Sequence, residues 1–195
     1  MALLTVAALT LQRGSRQLAS GLRFSLEPGR TLHLRGSNGA GKTTLLEVLA
    51  GLRDVEAGQI PVRPEPEALH WIGHRNALNL NLSPQENLEF WCGIHEADAG
   101  QIPMVLERMG VGKQRYRPCR TLSAGQKRRT ALARLLLSPR KLWLLDEPLD
   151  GLDAQGLALF AELLNTHLDQ GGGAIITSHQ SLPLSVTRVQ EVTLS

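Results

Sequence analysis

The chain has only two cysteines, Cys92 and Cys119, among 195 residues. That excludes a disulfide scaffold and fits a reducing compartment. Aromatic residues are 4% and no basic stripe is evident, so nucleic acid is not an expected partner. Lysine is scarce, 4 residues against 17 arginines. The arginines are scattered rather than massed, and the formal charge of +3 reads as solvated surface. No apolar run approaches the roughly 18 residues of a membrane-spanning helix, so the chain is not expected to cross a bilayer by itself. Residues 2–11 are apolar, but no cation precedes them, and Gln12, Arg13 and Gly14 follow where a leader peptide needs small residues. They read as a first strand.

What is present is an ordinary folded composition, 42% hydrophobic and 20% charged. Strands are expected at 22–26, 31–35, 59–62, 69–73, 141–145 and 174–177, with an edge strand at 186–194. Helices are expected from Lys42 to about Ala50, after the Ser83-Pro84-Gln85-Glu86 capping box, over 99–110, from Ser123 to Leu137, and over 154–168. This order predicts one α/β domain spanning 1–195. Its core is 1–79 and 138–195, interrupted by a helical subdomain at 80–137.

Three stretches carry chemistry. Gly36-Ser37-Asn38-Gly39-Ala40-Gly41-Lys42-Thr43 matches G-x-x-x-x-G-K-[ST] between a strand and a helix. Its glycines turn backbone N–H groups inward around an anion, and the helix N-terminus adds partial positive charge. Lys42 supplies a compact cation for the β- and γ-phosphates, and the Thr43 hydroxyl suits Mg²⁺. The apolar strand Leu142–Leu145 ends in Asp146, placed for Mg²⁺, and Glu147, placed to take a proton from water. Leu122-Ser123-Ala124-Gly125-Gln126 opens a helix with a capping box. The same geometry serves as a second anion site.

In this order the motifs resemble the ATP-binding subunits of ATP-binding-cassette transporters over the whole chain. Gly36–Thr43 looks like the Walker A motif and Leu144–Glu147 ends the Walker B. Leu122–Gln126 is similar to the LSGGQ signature, with Ala124 for its third-position glycine. Asp150–Asp153 looks like the D-loop, and His179 like the switch histidine that meets the γ-phosphate. The resemblance implies a P-loop core of RecA type with a helical subdomain and a small antiparallel β element. It implies ATP and Mg²⁺ as ligands, with Glu147, His179 and Lys42 catalytic. Nucleotide would be held by Gly36, Ser37, Asn38, Gly39, Ala40, Gly41, Lys42, Thr43 and Thr44 of one subunit and by Ser123, Gly125 and Gln126 of another. The metal would be held by Thr43, Asp146 and His74. His74 stands where the family has a metal-side glutamine, and Arg13 where it has an adenine-stacking aromatic; an arginine plane also stacks on a base.

Ile72-Gly73-His74, Glu86–Trp91 and Leu142–Pro148 narrow the resemblance. They look like the ATPase subunits of the haem-exporter complexes of bacterial cytochrome c maturation. That implies a homodimer of ATP-binding subunits at the cytoplasmic face of the inner membrane. Its partners would be integral membrane subunits of the same complex and haem-handling membrane proteins. The alternatives are an ATPase for another small-substrate exporter and a soluble cofactor-assembly ATPase. Cys92-Gly93-Ile94-His95 makes no haem or metal site, because one cysteine and one histidine have no second pair.

Overall fold

The computed structural model describes residues 1–194. They fall into two compact units. The first comprises residues 1–73, 140–147 and 161–194, the second His74–Pro139 and Pro148–Phe160. The helical unit thus begins at His74 and takes in the segment after Glu147.

The first unit contains both sheets. Strands β1 (Leu4–Arg13), β2 (Arg16–Leu26) and β4 (Ala57–Val62) form an antiparallel sheet in the order β2-β1-β4. Strand β2 begins at Arg16, earlier than its alternation suggests. Register shifts along the β1–β2 pair break the two-residue periodicity there. Strands β3 (Thr31–Gly36), β5 (Leu69–Ile72), β6 (Leu142–Asp146), β7 (Gly173–Thr177) and β8 (Val189–Leu194) form a parallel sheet in the order β5-β6-β7-β3-β8. Buried parallel strands are covered on both faces and read as continuous apolar runs, which is why every residue of β6 and β7 is buried. Helix α1 (Lys42–Leu49) follows β3 and buries Leu45, Leu46 and Leu49 completely. Each such leucine contributes roughly 2 kcal/mol of transfer free energy. The order of the parallel sheet places β7 between the strand that feeds the glycine loop and the strand that ends in Asp146.

The second unit is helical. Helix α2 (Pro84–His95) starts at a reciprocal capping box, Ser83 with Glu86, and has proline in its first turn, where the missing N–H costs nothing. Helix α3 (Ile102–Arg108) is shorter than the predicted 99–110. Residues 99–101 form a 3₁₀ turn, and Pro103 sits where a helix begins. The predicted helix after Ser123 divides into α4 (Ala124–Leu132) and α5 (Arg134–Leu137) at Ala133. Helix α6 (Ala154–Asp169) starts in this unit and ends in the first. Leu88, Ile102, Leu106 and Val111 form the dry interior of the second unit.

Candidate phosphate-binding and hydrolytic site

In the first unit the glycine loop joins β3 to α1, as the motif requires. Gly41 is the N-cap of α1 with φ 100°, a left-handed conformation that a side chain resists. The Lys42 ammonium folds over the loop, donating to the carbonyls of Gly36 at 2.8 Å and Ser37 at 3.2 Å. Ser37, Asn38, Gly39 and Thr43 are exposed, and Thr44 is buried beneath them. The loop therefore presents its backbone and the Thr43 side chain outward.

The Thr43 hydroxyl donates to Asp146 Oδ2 at 2.8 Å. This contact, across 103 residues of sequence, joins the loop to the end of β6. Both groups are hard oxygen donors suited to Mg²⁺. Among the described residues no cluster of three or more His, Cys, Asp or Glu could hold a metal. An ion here would take few protein ligands and rely on phosphate and water, as Mg²⁺ does beside nucleotides.

Glu147 follows in an unusual conformation, φ 49°, which costs a non-glycine residue roughly 1–3 kcal/mol. Its backbone N–H donates to the Thr177 hydroxyl at 2.8 Å. Its carboxylate accepts from the backbone N–H of His179 at 3.3 Å, and its other oxygen lies 3.6 Å from the His179 ring. The Glu147 side chain is 10% exposed and that of His179 57%, so a sheltered carboxylate faces a solvent-accessible imidazole. The sequence assigned Thr177 only to the end of a strand. Its hydroxyl also donates to Asp146 Oδ1 at 2.7 Å. His33 of β3, buried, donates through Nε2 to the Ser178 carbonyl at 3.0 Å and steadies the same turn. A polar residue within or closing an apolar strand was the signal for both.

Arg13 is exposed at the end of β1 and stands opposite Arg16 across the Gly14-Ser15 turn. Arg16 carries an equivalent guanidinium that the sequence did not single out.

In the second unit Ser123 caps α4. Its Oγ accepts from the Gln126 N–H at 3.2 Å, and Gln126 Oε1 accepts from the Ser123 N–H at 3.0 Å. Gly125 is tightly constrained: a Cβ there would lie 2.6 Å from the Gly151 carbonyl oxygen. Ala124 is admissible, since its methyl stands at contact distance, 3.4 Å from a Cβ placed on Gly151. Asp153 caps the start of α6, accepting from the Gly156 N–H at 2.8 Å. Beneath these loops the buried Arg128 donates to the carbonyl of Pro148 at 3.2 Å and to Asn76 at 2.9 Å. His74 is exposed and belongs to this unit, whereas Thr43 and Asp146 belong to the first. Cys92 and Cys119 are buried, and burial pushes both thiols above their ordinary value.

The same unit has an open concavity of about 300 Å³ lined by Ala77, Asn79, Leu82, Phe90, Trp91 and Ile94, with Arg134 at its wall. Phe90 and Ile94 are 68% and 61% exposed. No helix among the described residues is long and apolar enough to cross a membrane.

The chain is similar to known proteins in sequence and in fold. Residues 19–150 match the family described as ABC transporter. The chain is 45% identical over 192 residues to the cytochrome c biogenesis ATP-binding export protein CcmA of Rhodobacter capsulatus, covering 98% of this chain and 88% of that one. It is 44% identical over 192 residues to the CcmA of Hyphomonas neptunium, covering 98% and 96%. The solved structure of an ATP-binding subunit of an ABC transporter superposes with a TM-score of 0.81 at 22% identity, covering 91% of this chain and 79% of that one. At that identity the likeness establishes the fold.

Proposed function

This chain belongs to the ABC transporter family as an ATP-binding subunit, an ATPase coupled to transport, and from that premise we propose how its residues act and what they serve. Two copies stack head to tail. Each ATP is gripped by Gly36–Thr44 of one copy and by Ser123, Gly125 and Gln126 of the other, with Arg13 against the adenine. Lys42 leaves the carbonyls of Gly36 and Ser37 for the β- and γ-phosphates. Mg²⁺, when held by Thr43 and Asp146, neutralises phosphate charge. His74 offers a nitrogen where Mg²⁺ prefers oxygen, so we give it a role in positioning water.

Glu147 accepts a proton from the attacking water through its carboxylate. The His179 ring steadies the γ-phosphate. ATP closes the pair because its terminal phosphate offers anionic contacts that ADP lacks. Hydrolysis removes them, and the population returns to the open state. The observation that carries this reading is a single cluster in the first unit: Thr43 on Asp146 at 2.8 Å, with the sheltered Glu147 carboxylate against His179.

The kinship with cytochrome c biogenesis ATP-binding export proteins supports a narrower assignment. The chain energises a haem-export or haem-release complex at the cytoplasmic face of a bacterial inner membrane. Its partners are integral membrane subunits and haem-handling membrane proteins. The concavity lined by Phe90, Trp91 and Ile94 accepts a short helix from a membrane subunit, with the segment from Arg75 to Ser83 as its rim.

The test is Glu147→Gln in the complex purified from membranes. The variant is expected to bind ATP normally, to hydrolyse it at least ~100-fold more slowly, and to accumulate as a closed dimer by crosslinking. Turnover near the native rate would remove Glu147 from the role of base. Co-purification of soluble scaffold proteins in place of integral membrane proteins would favour a cofactor-assembly ATPase.

A further inference from the structure

We propose that Thr177 is a positioning residue for both carboxylates of the hydrolytic site. Its side chain has no exposed surface. Its hydroxyl lies in the middle of a hydrogen-bond chain: the Glu147 N–H donates to Thr177 Oγ1 at 2.8 Å, and Thr177 Oγ1 donates to Asp146 Oδ1 at 2.7 Å. The two bonds run in one direction, so each polarises the other in a buried setting.

The first bond does one job. Glu147 holds φ 49°, and a non-glycine residue stays in that region only when its surroundings fix it. The Thr177 hydroxyl accepts the N–H that this conformation turns inward. Without that acceptor the N–H is stranded in a dry site, and Glu147 relaxes toward an ordinary conformation that re-aims its carboxylate.

The second bond does another. Asp146 has two oxygens, and Thr43 donates to Oδ2 at 2.8 Å. By occupying Oδ1, Thr177 fixes the rotation of the carboxylate about χ2 and keeps Oδ2 on the side of the glycine loop. Partners that orient a ligating carboxylate set metal affinity in this way.

Placement makes one hydroxyl sufficient. Asp146 and Thr177 stand in register as neighbours on the parallel strands β6 and β7. Two residues beyond Thr177 the chain reaches His179, whose N–H meets the Glu147 carboxylate at 3.3 Å. The pin therefore also sets the distance between Glu147 and His179.

This inference rests on the roles given above to Asp146 and Glu147. It is tested with Thr177→Val, which keeps the branched shape and removes the hydroxyl, and Thr177→Ser, which keeps the hydroxyl. Both are made in the membrane-derived complex. The valine variant is expected to lose about 10–100-fold in kcat, with the KM for ATP changed by less than about twofold. Mn²⁺ binding to the complex loaded with a non-hydrolysable ATP analogue, followed by electron paramagnetic resonance, is expected to weaken at least ~10-fold. Thr177→Ser is expected to restore most of both.

Native kcat and Mn²⁺ affinity in the valine variant would overturn the proposal, as would a serine variant as impaired as the valine. If Thr177→Val does not fold, Thr177→Ala takes its place. Failure of both to fold would make the hydroxyl a folding group and also overturn the proposal. Glu147→Gln tests the base separately. A fully active Thr177→Val beside an inert Glu147→Gln overturns this inference alone.

Discussion

Helices α2 and α4 of the second unit begin alike, each with a serine whose hydroxyl accepts from the third residue on while that residue's side chain returns the bond. At α2 the pair is Ser83 with Glu86, and at α4 it is Ser123 with Gln126. Ser83 is 4% exposed and its cap ends in a carboxylate. Ser123 is open to solvent and its cap ends in a neutral amide. A carboxylate suits a helix N-terminus that meets nothing else, because it complements the dipole. It would repel the phosphate that α4 is proposed to receive. The local motif is shared, while the neutral last residue at α4 fits the anion-receiving role proposed for it and the charged one at α2 fits a structural start.

Gln126→Glu breaks this contrast most severely. The cap survives and the protein folds, but a negative charge now opposes the γ-phosphate. ATPase activity of the complex is expected to fall at least ~30-fold, equivalent to about 2 kcal/mol of like-charge repulsion. An unchanged rate would separate α4 from the nucleotide.

Ser83→Ala has a smaller effect of another kind. It removes one cap and is expected to cost about 1 kcal/mol of stability, read as a lowered denaturation midpoint with unaltered slope, and to leave kcat within about twofold.

The smallest effect is in the pH profile. The backbone N–H of Ser83, and then its hydroxyl, hold the Glu86 carboxyl below its ordinary value of 4.5. A folded-state value below the unfolded one means the unfolded chain binds the proton first. The contribution of this cap is thus whole above pH 4.5 and is lost as pH falls through the lowered value. The Ser123 cap does not titrate. Acid melting curves of Glu86→Gln are expected to be flatter than native below that pH, and coincident curves would contradict the assignment.

Much of this was legible before any coordinates. The glycine loop, both serine caps and the strand ending in Asp146 and Glu147 are short-range patterns, each complete within about eight residues. The start of β2 at Arg16 was not legible, because irregular pairing with β1 erases the alternation a strand displays. Neither was the late start of α3 at Ile102 nor the break at Ala133, both settled within a turn of helix. Thr177 lay furthest out of reach. Its partner Asp146 is 31 residues earlier, and only the parallel pairing of two strands separated by α6 brings them together. The left-handed turn at Glu147 had no glycine to announce it.

Gly125 packs so closely on the Gly151 carbonyl that a Cβ on Gly125 would lie 2.6 Å from its oxygen. Loops joined that closely have no independent freedom. A displacement of Ser123 is therefore expected to move Asp153 as well. In the role proposed for α4, the arrival of a phosphate there would be felt at the mouth of α6, and a Cβ added at Gly125 would force the two loops apart.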